Sequence, residues 1–177
     1  MNLFDMNSDA ITVNIDGKDI EMKPAICYGK EYDKWLVSKC GKVWNVKKNK
    51  LLKGYRVYVH NKKGKRLDNI KYTITVNEAD WWGDGSGRVH HEGYSWQRNI
   101  KSHKMIMDTW APLYDNPPEG VVWEEWKIVR DLPTVFDHIK KTVVIDHIDD
   151  DPTNNHIDNL RRVTSWDNQP TRKAKGI

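Results

Sequence analysis

The sequence predicts an α+β chain: a small antiparallel β-sheet region followed by a strand–loop–strand–helix unit. Three observations predict it. Residues 11–77 are filled with short β-branched and aromatic runs, separated by glycine-containing pairs that suit turns. One segment near residue 105 carries apolar residues at helical spacing. The stretch VVIDHIDDDPTNNHIDNLRRVTSWDN, residues 143–168, sets two strand-like runs on either side of a loop crowded with acids and amides.

The elements follow in order. Residues 1–31 read as an N-terminal extension. Within it Ile11, Val13 and Ile15 alternate, Asp16-Gly17 forms a turn, and Ile20 and Met22 begin the return strand of a hairpin. Residues 32–77 read as a basic antiparallel strand region. Its runs LVS, KVWNV, YRVYVH and KYTITV are divided by Cys40-Gly41, Lys53-Gly54 and Lys63-Gly64. Residues 78–99 hold Gly83, Gly85, Gly87 and Gly93 and read as a mobile loop, rooted at Trp81 and Trp82 and carrying His90 and His91. Residues 100–177 form the last region. Ile100, Met105, Ile106, Met107 and Trp110 predict a short helix, and residues 112–142 are an insertion, helical in pieces and broken at Pro133.

Composition narrows the function classes. Nine tryptophans in 177 residues argue against disorder. No run of eighteen apolar residues exists, so no membrane partner is expected. The start, MNLFDMNSDA, lacks the basic and apolar regions of a signal peptide, so an intracellular, cytoplasmic setting is expected. Cys27 and Cys40 form no CxxC pair and predict reduced thiols rather than a zinc or disulfide framework. The net charge of +4 hides a strong asymmetry. Residues 34–72 hold thirteen lysines and arginines against one acid, Asp68, while the segments on both sides are acidic. Such a block attracts a phosphate backbone. A solvated lysine-rich face would have the same composition, and composition alone leaves both readings open.

The chemistry concentrates in residues 143–168. Val143, Val144 and Ile145 suit a buried strand that ends on Asp146 and His147, and a strand ending there lets both side chains serve one pocket. The loop DDDPTNNHID follows, then the strand NLRRVT, then Ser165 as an N-cap with Asn168 in the first turn. This order can bring Asp146 and Asn168 around one small ion. A carboxylate and an amide oxygen suit one hard divalent cation, Mg²⁺ or Mn²⁺, that keeps most of its waters. A neutral His147 beside it can take a proton from water. The combination predicts phosphodiester hydrolysis. Asp137-His138 repeats the dipeptide on an expected helix without matching asparagines, and reads as surface. The acids of Asp149-Asp150-Asp151 fit no EF-hand spacing and read as a solvated turn.

These residues resemble the HNH endonucleases, the ββα-metal nucleases, in their phage and intron homing form. His147, Asn159 and Asn168 stand at the family's three positions, twelve and nine residues apart, and Asp146 matches its metal-binding aspartate. The resemblance implies His147 as general base, Asp146 and Asn168 as ligands of one metal ion, Asn159 as the tie that holds the loop and supports His147, and Arg161 as a phosphate contact. Upstream, LVSKCGKVWNVKKNKLLKGYRVYV is similar to a strand motif that precedes many of these nucleases, and SHKMIMDTWAP resembles their following helix, with His103 at the family's histidine. The chain departs from the pattern in three places. An aspartate replaces the glycine of the usual DGN turn, Arg162 replaces a common tryptophan, and Pro170 predicts a short final helix.

The expected partner is double-stranded DNA, bound by a monomer. The expected contacts are Lys42, Lys47, Lys48, Lys50, Lys53, Arg56, Lys62, Lys63, Lys65, Arg66 and Arg162. Three classes remain: a site-specific homing-type endonuclease that nicks one strand, or cuts both as a dimer or by sequential nicking; a non-specific or packaging-associated nuclease; and a non-catalytic DNA-binding module. The intact Asp146, His147 and Asn168 argue against the third.

Overall fold

A computed structural model describes residues 9–27, 29–61, 64–77 and 95–168. For residues 59–61, 64–69, 73–77 and 95–98 the backbone alone is described. The expected glycine loop with its Trp81, Trp82, His90 and His91, the pair Lys62 and Lys63, and the basic tail at Arg172, Lys173 and Lys175 lie outside the described residues.

The fold is α+β, as expected, with a different division of strands. The order is β1 (Ile11–Ile15), β2 (Lys18–Cys27), β3 (Lys30–Ser38), β4 (Val43–Asn45), β5 (Lys50–Leu51), β6 (Tyr55–Asn61), β7 (Gly64–Asn77) and β8 (Ser95–Lys101). Then come helices α1 (Ser102–Trp110), α2 (Trp123–Arg130) and α3 (Pro133–Thr142), strand β9 (Val143–His147), a 3-10 turn at Ile157–Asn159, and strand β10 (Leu160–Thr164). Strands β1 to β5 form one meander in sequence order, β6-β7-β8 a second sheet, and β9-β10 a third.

The N-terminal hairpin is therefore the edge of the first sheet rather than a separate extension. Its turn has positive φ at both Asp16 (53°) and Gly17 (77°), the combination that matches strand twist in a two-residue hairpin. The β2–β3 ladder slips its register between Pro24 and Ala25, where proline has no N–H to donate. The strands expected to make one basic sheet divide at Leu52–Gly54. There Leu52 N donates to Val43 O at 2.7 Å, and the chain leaves for the second sheet. A Cβ on Gly54 would sit 2.8 Å from Ile70 Cγ2, so only glycine allows this crossing. The partner that completes the second sheet is β8, so Ser95–Asn99, expected as the end of the glycine loop, form a strand instead, because their backbone pairs with β7.

Helix α1 seals the main core. Met105, Ile106 and Met107 pack with Ala25, Val37 and Val43 of the first sheet and with Leu160 of β10. Thr109 Oγ1 accepts from Ile26 N at 2.9 Å, and Trp110 Nε1 donates to Val37 O at 3.0 Å, so the helix is bonded to both β2 and β3. The C-terminal end of α1 is held by Arg162. Its guanidinium donates to Ala111 O and to Met107 O (3.2 Å), and pairs with Asp108 at 3.4 Å. This corrects the expectation that Arg162 contacts DNA. The side chain is buried at 6% exposure, because the last carbonyls of a helix leave acceptors that a cation satisfies. Burial pulls its pKa down from the ordinary arginine value, while Asp108 works in the other direction.

The insertion folds as the α2–α3 pair around Trp126, with Pro133 at the first turn of α3. Asp137 pairs with Lys141 at 2.7 Å on the α3 surface and His138 is exposed, as expected of the repeated dipeptide. No helix among the described residues is long and apolar enough to cross a membrane.

The turn Ser38–Lys42 is a second close junction. Gly41 has φ +85°, and a Cβ there would lie 3.2 Å from Ile106 Cδ1, 3.4 Å from Asn155 Cβ and 3.5 Å from Ser102 Oγ. Gly41→Ala is expected to cost about 1–3 kcal/mol, from left-handed strain and crowding. Urea unfolding checks this; an unchanged midpoint would show that the turn relaxes freely.

Candidate active site

Strands β9 and β10 pair antiparallel, with Arg161 opposite Asp146 and Leu160 opposite His147. Directly opposed residues share a face. Asp146 and Arg161 therefore emerge on one side of the hairpin, and His147 with Leu160 on the other. The expectation was that the strand ends at this dipeptide and both side chains enter one pocket. The strand does end at His147, but His147 still pairs, so the two side chains leave on opposite sides of that end.

Asp146 is buried at 5% exposure. Its Oδ2 accepts from Arg161 Nε at 3.1 Å and lies 3.1 Å from Arg161 Nη2. The third nitrogen of that guanidinium, Nη1, reaches Glu119 Oε2 at 2.8 Å. Arg161 thus bridges two carboxylates, one from the strand and one from the insertion. Burial works against its charge, but the bond to Asp146 and the field of both acids outweigh it and hold its pKa above the usual arginine value. Glu119 also donates its backbone N–H to Arg162 O at 2.8 Å, which fixes the insertion to β10.

His147 Nε2 lies 3.1 Å from Asn155 Oδ1. Across the ring, His103 of α1 packs edge-on, with centroids 5.3 Å apart and planes at 89°. The Nδ1 of His103 is buried with no hydrogen-bond partner among the described residues. Burial, followed by the charges of His147, Lys101 and Lys104, pushes the His103 pKa down to about 3.

The loop between the strands is held by Asn159. Its Nδ2 donates to Asp149 Oδ1 at 2.9 Å and Asn154 O at 2.8 Å, and its Oδ1 accepts from Asp149 N at 3.2 Å. Asp151 Oδ1 caps Thr153 N at 2.8 Å. Bonds from Asn154 and Asn159 to Asp149 lower that carboxyl's pKa. Asp150 adopts φ +59°, a left-handed conformation that aspartate tolerates better than most residues. Asn159 is therefore the loop tie, and the residue that touches His147 is Asn155. The sequence offered one signal for it, the paired Asn154-Asn155. Glu119 carried no comparable signal, because it lies in the insertion.

After β10 the chain turns through Ser165–Asn168. The cap is Thr164, not Ser165: Thr164 Oγ1 accepts from Asp167 N at 3.2 Å and also bonds the Asp167 carboxylate. Asn168 N donates to Thr164 O at 3.2 Å. The Asn168 side chain makes no hydrogen bond to a described residue and stays half-buried. No group of three or more His, Cys, Asp or Glu is arranged to hold a metal among the described residues. By donor type alone, the buried carboxylate of Asp146 and the amide of Asn168 suit a hard cation. The Asp146 oxygen would be shared with, or released by, Arg161.

Of the basic residues, Lys47, Lys48, Lys50, Lys53 and Arg56 are exposed and Lys42 is half-buried. Lys47 and Lys48 occupy the β4–β5 hairpin turn, and Lys50 begins β5. Lys65 and Arg66 stand on β7, opposite His60 and Val59.

Residues 138–169 of the chain match the HNH endonuclease family. Among solved structures it is similar to one described as DNA binding and cleavage by the HNH homing endonuclease I-HmuI. That likeness has 19% identity and a TM-score of 0.45, and it covers 89% of this chain and 60% of that one. Comparison with curated proteins gives no match.

The histidine opposite His147 has a measurable consequence. Its folded pKa lies below the unfolded value, so its contribution to stability is fully present above pH 6.5 and fades as pH falls toward 3. Between pH 7 and pH 5 this group should cost about 2 kcal/mol. Urea unfolding of the native chain and of His103→Phe at both pH values checks it. The variant should lack that share of the acid-side loss; equal losses in both would remove His103 as its source.

Proposed function

We propose that this chain is a metal-dependent DNA endonuclease of the HNH type, acting site-specifically in the manner of a homing nuclease and nicking one strand per monomer. The observation that carries the reading is a bonded, oriented imidazole, His147, next in sequence to a buried carboxylate, Asp146, within the HNH segment. His147 acts as general base. It takes one proton from a water, whose oxygen forms a bond to phosphorus as the bond to one ester oxygen breaks, and that oxygen leaves after gaining a proton from solvent. Asp146 and Asn168 would hold one divalent ion, Mg²⁺ or Mn²⁺, which when bound supplies positive charge against the phosphate and the leaving oxygen. Asn159 keeps the loop in register and does not react. Arg161, already balanced between Asp146 and Glu119, is the cation nearest the carboxylate and suits a phosphate of the bound strand.

The exposed Lys47, Lys48, Lys50, Lys53 and Arg56 support a track for the DNA backbone, with Lys42, Lys62, Lys63, Lys65 and Arg66 as further contacts by sequence. Phosphate contacts position a protein without reading sequence. A plasmid library cut in Mg²⁺ or Mn²⁺, with its ends mapped, therefore separates the homing reading, which expects one dominant end, from a non-specific nuclease.

His147→Ala should lower cleavage by roughly 10²–10⁴-fold and leave DNA affinity nearly unchanged; loss of binding instead would assign His147 a structural role. Replacing Lys47, Lys48 and Lys50 by alanine should weaken binding to all sequences and flatten its salt dependence by about one slope unit per lost contact. An unaltered slope removes that hairpin from the interface.

A further inference from the structure

The hydrogen bonds around Asn155 specify more than its position. The residue is buried at 5% exposure. Its Nδ2 faces two carbonyls, Thr153 O at 3.2 Å and Pro152 O at 3.4 Å. Carbonyl oxygens only accept, so the amide nitrogen must be the end that points to them. The Oδ1 end is then the one that meets His147 Nε2 at 3.1 Å. An amide oxygen also only accepts, so Nε2 must carry a hydrogen. In a neutral imidazole one nitrogen donates and the other holds the lone pair. The lone pair of His147 therefore sits on Nδ1, which has no hydrogen bond among the described residues.

Asn155 is itself fixed. Its backbone N–H donates to Thr153 O at 3.1 Å, and two residues on Ile157 N donates to Lys39 O at 2.8 Å. Its Cβ lies against the Gly41 turn. The ring of His103, perpendicular to His147 with centroids 5.3 Å apart, also limits rotation of His147.

We propose that Asn155 is a positioning residue, which holds the proton of His147 on Nε2 and presents Nδ1 as the nitrogen that accepts a proton from water. The part played by Nδ1 rests on the general-base reading above; the tautomer does not.

The test uses the full chain without metal, at a pH where His147 is neutral, with ¹⁵N-labelled histidine. Long-range proton–nitrogen correlation should show His147 with a protonated Nε2 and a bare Nδ1, and its ring N–H should exchange slowly with water. In Asn155→Leu, which keeps the bulk and removes the acceptor, that protection should vanish. The turnover rate should fall roughly 10- to 100-fold, the scale on which a displaced reacting group costs rate, with DNA affinity unmoved. Asn155→Asp keeps an acceptor and should keep the protected N–H. A proton found on Nδ1 in the native chain overturns the proposal, whether or not the variants fold. So does an Asn155→Leu protein with native turnover. If no form of the protein cleaves DNA, the nuclease reading fails while the tautomer is still decided by the spectra.

Discussion

The site depends on a close approach at a residue with no side chain. Around Gly41 the first sheet touches the start and middle of α1 at Ser102 and Ile106, and touches the loop after β9 at Asn155. The second sheet arrives at the same place, where Tyr72 of β7 donates its hydroxyl to Gly41 O at 2.9 Å. Burial raises the Tyr72 pKa, with Cys40 adding to it, so the hydroxyl keeps its proton. Ser38 closes the turn from within, accepting Lys42 N on its hydroxyl at 2.9 Å. Parts of the chain more than a hundred residues apart thus meet within van der Waals distance. Any side chain at position 41 would have to push one of them away.

From that junction outward, the site is held by bonds that leave little freedom. The loop after β9 folds on its own acids and amides, with Asn159 at the centre and Asp150 taking the left-handed step. The insertion joins the hairpin from the outside through Glu119 and through Ser165 N, which donates to Thr142 O at 3.2 Å. Its own core is small. Trp126 is nearly fully buried and donates to Tyr114 O at 3.0 Å, and Arg130 stacks on the Tyr114 ring at 4.3 Å. The insertion thereby supplies the second carboxylate that Arg161 needs to remain well paired at a partly exposed position.

Much of this was legible in the sequence, for identifiable reasons. Asp16-Gly17 announced its hairpin because that dipeptide suits two consecutive positive φ values. The loop tie at Asn159 and the left-handed acid at Asp150 were legible because loop chemistry is local. The division of the sheets was not, since alternation shows that a strand exists and not which neighbour it finds. The partner of β7 lies beyond seventeen intervening residues, from 78 to 94. Arg162 misled for a related reason. A charged residue in a basic chain reads as surface, and only the three-dimensional position of the α1 carboxyl end shows what buries it. Asn155 escaped because its role depends on which way an amide faces, and that is decided by carbonyls two and three residues earlier. Cys27 and Cys40 are both free, and burial pushes the Cys27 thiol up to about 12.

Strand β8 runs into α1 with no connecting residue, Lys101 ending one and Ser102 beginning the other. A linker would let the two elements pivot; a direct join makes them a single lever. A displacement of the three-stranded sheet therefore has no slack joint in which to dissipate before it reaches His103, the second residue of α1, and the imidazole that this ring touches.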